Sequence, residues 1–195
     1  MRFLILAFSV LSVSAFAAEA GEQLTMPQFP AGWTKVFSGH GKDAREGQEQ
    51  VEEYAPVGQS SQKFQDKIVI ETYHRLNLPL DVLQRRAVAQ AHDGCNGVIE
   101  GKFQSGVNNG YASAYWTLGC KNLKRTSFGE TRYTKAIQSG DTLYLITRLW
   151  RTKGYDDKGP SITAQSLREG YDFLTTTIIC QEGSQQHPCG GAKPR

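Results

Sequence analysis

The chain has 195 residues, 39% of them hydrophobic, and its 22 basic and 19 acidic side chains leave a formal charge of +3. At roughly 100–200 residues per domain, this length supports one domain with its own core, and the composition excludes a disordered or collagen-like chain. The charge is too mild to point to nucleic acid.

Met1-Arg2 opens the chain, and Phe3 to Val13 is apolar except for Ser9 and Ser12. Ser14-Ala15-Phe16-Ala17 then sets small residues at both cleavage positions. This is the order of a secretory signal peptide, and the apolar run is shorter than the roughly 20 residues that cross a bilayer. Residues 1–17 are therefore expected to be removed, and loss of Arg2 lowers the formal charge from +3 to +2. No later apolar run is long enough to span a membrane, so no integral membrane segment is expected after cleavage. A periplasmic or secreted location is expected.

Residues 18–30, with Pro27 and Pro30, read as a polar surface segment. Trp33 to Ser38 reads as a strand, Gly39 to Gln50 as an exposed loop, and Val51 to Val57 as a second strand. Ser60 to Phe64 allows one helical turn. From Lys67 to Leu76 the residues Ile68, Ile70, Thr72, His74 and Leu76 share one strand face.

Leu80, Leu83, Ala87 and Ala91 form one helical stripe, opened by Pro79 and Asp81 and stopped at Asp93-Gly94. A hairpin follows, with arms Val98–Gln104 and Tyr111–Leu118 around Val107-Asn108-Asn109-Gly110, because Asn-Gly favours tight hairpin turns. Residues 121–129 form a basic connection. Glu130–Gln138 and Thr142–Arg151 form a second hairpin across Ser139-Gly140-Asp141. A closing helix carries Leu167, Tyr171, Leu174 and Ile178 on one stripe and ends at Cys180. The expected fold is α+β: one domain over 18–181, an antiparallel sheet of about six strands packed by two main helices. Residues 182–195 form a tail tethered by Cys189.

Cys95, Cys120, Cys180 and Cys189 are an even set, read in an exported chain as disulfides. Of the three pairings, Cys95–Cys120 with Cys180–Cys189 is preferred, since the first pair flanks the open end of the hairpin and the second closes a short tail loop.

Chemistry-bearing motifs are sparse. His40, His74, His92 and His187 show no metal-ligand spacing, and neither a nucleophile elbow nor a phosphate loop occurs. No catalytic residue, metal or cofactor is assigned. The strand 142–151 places Leu143, Leu145, Thr147 and Leu149 on one face and Tyr144, Ile146, Arg148 and Trp150 on the other. Tyr144, Arg148 and Trp150 are the candidate partner surface, since aromatic and Arg side chains suit protein recognition. The cations of 121–135 (Lys121, Lys124, Arg125, Arg132, Lys135), interleaved with Phe128 and Tyr133, read mostly as a solvated connection.

The early Gly32-Trp33 strand entry, the Tyr54-Ala55-Pro56 strand end and the strand Ile68-Val69-Ile70, followed by a helix, antiparallel strands and a closing helix, resemble the PsbP-like α/β/α sandwich family. The resemblance is one of element order over most of the chain. It implies a binding or assembly module rather than an enzyme, and carries no site residue over.

Function is accordingly expected to be that of an exported, non-catalytic binding or accessory protein of the bacterial cell envelope, of which an immunity or inhibitor-type protein is one version. The expected partner is another envelope or secreted protein, not nucleic acid. The alternatives are a small secreted hydrolase pairing Glu52 or Glu53 with His40 or His74, and a structural envelope component.

Overall fold

The computed structural model describes residues 21–40 and 48–189. The leader assigned to residues 1–17 lies outside the described residues. Alternating runs rich in β-branched and aromatic residues build one antiparallel sheet. Its strands are β2 (Trp33–His40), β3 (Gln48–Pro56), β4 (Asp66–His74), β5 (Cys95–Glu100), β6 (Gln104–Asn108), β7 (Tyr111–Leu123), β8 (Phe128–Ser139) and β9 (Thr142–Lys153). The spatial order is β2-β3-β4-β9-β8-β7-β5, with β6 pairing β7 beyond the end of β5. A separate two-stranded sheet joins β1 (Gln23–Thr25) to β10 (Ile178–Cys180).

The main sheet thus has eight strands where about six were expected. The predicted arm 98–104 is two strands, broken at 101–103, and the predicted loop 39–50 is strand at both its described ends. In the first hairpin the turn is Asn109-Gly110 alone, with φ of 50° and 87°, so Val107 and Asn108 still pair with β7. Positive φ at both central residues is the two-residue turn that matches strand twist, which is why Asn-Gly signalled it. Residues 61–63 form bends, and no helical turn forms over 60–64.

Helix α1 (Leu80–Gly94) covers one face of the sheet. Its predicted stripe of Leu80, Leu83, Ala87 and Ala91 packs on Ala114, Trp116, Leu118, Ala136, Leu143 and Leu145. Helix α2 (Ala164–Thr176) covers the opposite face, where Phe173 and Leu174 meet Ile68, Ile70 and Ile146. Thr163 caps it, accepting a hydrogen bond from the Ser166 N–H at 3.1 Å.

The α2 stripe differs from expectation. Tyr171 is exposed, and the helix seats through Gly170, Phe173 and Leu174. It stops at Thr176, so Ile178 and Cys180 belong to β10 and Cys180 ends a strand, not a helix. The segment before β2 also departs from its polar reading. Leu24, Met26 and Phe29 pack into the α2-side core, and the Phe29 ring stacks on Tyr54 at 4.1 Å between centroids.

Two disulfides staple the chain in the expected pairing, Cys95–Cys120 and Cys180–Cys189, with Cα separations of 5.5 and 4.8 Å. Two such bonds fit an oxidising environment. Among the described residues no helix is long and apolar enough to cross a membrane.

Candidate functional site

The predicted partner face is buried. Arg148 is 3% exposed and Trp150 4%, while Tyr144 is half-buried against the α2-side core. The Arg148 guanidinium lies 4.3 Å from the centre of the Trp33 ring and bonds Asp66 at 2.5 Å. The reason is topological: β9 is central in the sheet, and both of its faces are needed to seat a helix. Arg148 and Trp150 are therefore buried and Tyr144 half-buried, so the three do not lie on an open face.

The carboxylates of the hydrolase reading are already engaged. Glu52 accepts from Lys35 Nζ at 2.7 Å and from the Tyr54 hydroxyl at 2.8 Å, and the Lys35 bond holds its carboxyl below the usual range. Glu53 points to the other face and meets Lys67 at 2.9 Å. His74 ends β4 exposed, and His40 ends β2 opposite Gln50. A histidine–carboxylate contact does form between His92 and Glu100 at 3.1 Å, but both side chains are about half exposed. Among the described residues no three His, Cys, Asp or Glu side chains stand together to hold a metal.

The basic run 121–135 is divided among separate tasks. Lys124 Nζ donates to the carbonyls of His92 and Asp93, at the end of α1. Lys135 Nζ donates to Leu174 O at 2.9 Å and Thr177 O at 2.5 Å, at the end of α2. Each lysine thus closes a helix C-terminus, where unpaired carbonyls and the dipole favour a cation. Lys121 pairs with Asp157 at 2.6 Å, and Tyr133 packs edge-on against Trp150.

Two spacious clefts among the described residues lie where β8 begins and β9 ends. Phe128 and Lys153 are direct partners in the β8–β9 register, and the next pair on that face is Glu130 with Arg151. Glu130 Oε1 accepts from Arg151 Nε and Nη2 at 3.1 and 2.7 Å, and its Oε2 accepts from Arg132 at 2.8 Å. Burial pushes the Glu130 carboxyl up, but the two guanidinium groups outweigh this and hold it below the ordinary range. Arg151 also donates to Gln62 O at 3.0 Å, and its guanidinium lies 4.0 Å from the Phe64 ring centre and 5.9 Å from that of Phe128. Lys67 Nζ lies over Phe64 as well, at 4.4 Å. Cation–aromatic contacts of this kind contribute about 0.5–2 kcal/mol each and fix the rings in place.

Two clefts flank this Phe128–Lys153 ridge. One, of about 690 Å³, is lined by Val57, Gln59, Lys63, Phe64, Arg151 and further residues, with no carboxylate among the described lining. The other, of about 780 Å³, is lined by Asn122, Ser127, Tyr155 and Asp156 together with the ridge. The rim of the first is held by the chain's own hydrogen bonds: Gln59 Oε1 accepts from the Gln65 N–H at 2.6 Å, and the Ser60 N–H donates to Lys63 O at 2.9 Å. Tyr155 props the second, donating to Glu130 O at 3.0 Å.

Sequence reasoning singled out Phe128 but missed Phe64, Arg151 and Lys153. The signal is non-local, since Gln62 and Arg151 meet across 89 residues. No protein-family model and no curated protein matches the chain.

Proposed function

We propose that this chain is an exported, non-catalytic binding or accessory protein of the bacterial cell envelope, and that the Phe128–Lys153 ridge is its recognition site. Its partner presents an acidic, partly apolar protein segment. The leader pattern at residues 1–17 and the two disulfides support export. The resemblance in element order to PsbP-like binding modules supports the accessory role. An immunity or inhibitor-type protein is one version of this reading.

One observation carries the reading. The cleft beside Phe128 gathers Lys63, Arg151 and Lys153, with no carboxylate among its described lining residues, around Phe128 at 45% and Val57 at 73% exposure. Arg151 is locked by Glu130, which balances its charge, and by Phe64, so it supplies a fixed floor of N–H donors. Lys63 and Lys153 supply the adjustable rim. Complementary charge raises the rate of encounter, and the apolar residues slow release.

The test uses the mature, oxidised protein with acidic peptides that contain a Phe or Leu, read by fluorescence anisotropy. Binding is expected to weaken at least ten-fold in K63E/K153E and in F128S, and to fall as salt rises. Neutral and basic peptides serve as controls. Equal binding of the acidic and control peptides, or affinity unchanged by both variants, would overturn the assignment.

A further inference from the structure

We propose that the chain forms a two-fold dimer by antiparallel pairing of β6 with β6 of a second copy. This surface lies at the end of the sheet away from the Phe128–Lys153 ridge and does not depend on that site.

Among the described residues β6 pairs only with β7, and Gln104 to Val107 are all exposed. The Asn109-Gly110 turn closes on Asn108 and Tyr111, which makes these a hydrogen-bonded pair. Counting back in twos, Gly106 and Gln104 also bond to β7. Ser105 and Val107 therefore turn their N–H and C=O groups away from the sheet. Natural proteins blunt such edges with charges, prolines or bulges. The opposite edge strand, β2, has both Lys35 and a register shift between Lys35 and Phe37. Gln104-Ser105-Gly106-Val107-Asn108 has neither a charge nor a proline.

The segment is complementary to itself. Pairing Ser105 of one copy with Val107 of the other, and the reverse, satisfies four outward N–H and four outward C=O groups' worth of edge with one symmetric register. Gly106 then falls on the two-fold axis, in the closer, non-hydrogen-bonded type of pair. A glycine suits that crossing, and its Cβ position has nothing within 4 Å. Neutral side chains bring no like-charge repulsion to the seam. Asn108 would stand opposite Gln104 of the second copy. A second copy is favoured over a charged peptide because nothing along β6 selects a charge.

Sedimentation velocity on the oxidised chain at tens of micromolar tests this directly. A dimer is expected, with V107P sedimenting as a monomer at unchanged thermal stability, because the Val107 N–H is not used in the intrachain ladder. G106C should form an interchain disulfide under mild oxidation, since facing Cα atoms in such a pair lie about 4.5 Å apart, while S105C should not. Should V107P fail to fold, the S105K/V107K pair gives the same reading through repulsion. A monomeric wild type overturns the proposal. So does a dimer that survives these substitutions, or a G106C chain that remains uncrosslinked.

Discussion

Gly170 of α2 and Trp150 of β9 touch so closely that no methyl group fits between them: a Cβ on Gly170 would lie 2.5 Å from the indole Cη2 and 2.7 Å from Cζ2. By helix propensity alone, glycine here costs about 1 kcal/mol relative to alanine. The structure reverses the sign. Trp150 is buried beneath the helix and pinned edge-on by Tyr133, so it cannot yield. Gly170→Ala is expected to destabilise by about 1–2 kcal/mol, the overpacking cost less the propensity gain. Urea unfolding measures this, and a more stable variant would mean that α2 is not seated on Trp150.

Acid should loosen the sheet through Glu130. Its folded-state carboxyl sits below the ordinary value of 4.5, so its contribution is present above that value and is lost as pH falls through it. Glu130→Gln leaves Arg151 and Arg132 without their buried counter-charge. Stability at neutral pH is expected to fall by about 3 kcal/mol, and the dependence on pH below 5 to flatten. A pH series of urea midpoints on both proteins checks both effects. The variant should also weaken acidic-peptide binding, because Arg151 loses the group that fixes it.

Local signals carried the elements and their pairing, while long-range coverage stayed hidden. The Leu80–Ala91 stripe, the Asn-Gly turn and both disulfides could be read because each rests on residues near one another in the chain or on a periodicity. The fate of Arg148 and Trp150 could not, because what buries them is α2 and the Trp33 region, far away in sequence. The same holds for Leu24, Met26 and Phe29, whose polar neighbours mask three core contacts. The ridge was half legible: Phe128 stood out among cations, but Arg151 acquires its role only when Phe64 and Glu130 converge on it.

Lys135 predicts the alkaline behaviour. Burial pushes its ammonium down to about 8, while the carbonyls of Leu174 and Thr177 accept its protons at neutral pH. A lysine whose folded value is lowered makes the unfolded chain bind more protons between about 8 and the ordinary 10.5. Stability is therefore expected to rise with pH across that window, by up to about 2 kcal/mol. Above pH 10 the trend turns over, since burial pushes Tyr111 up to about 12 and the unfolded chain then ionises first. Lys135→Met should remove the rise and keep the turnover.

The two disulfides should differ in what they hold. Closing the 26-residue loop from Cys95 to Cys120 contributes roughly 3.5 kcal/mol by chain entropy, and the ten-residue loop from Cys180 to Cys189 roughly 2.7. The shorter loop has an additional local role. It positions His187, whose ring stacks on Tyr111 at 4.2 Å and contacts Asn109 O at 2.8 Å, and Asn109 Nδ2 in turn donates to Ile179 O at 2.8 Å. The tail thereby braces the turn that joins β6 to β7. Replacing Cys95 and Cys120 with serine is expected to lower global stability most and leave the 104–111 hairpin protected in hydrogen exchange. Replacing Cys180 and Cys189 should cost less globally but expose that hairpin to faster exchange. Equal exchange in the two variants would show that His187 keeps its place on Tyr111 without the tether.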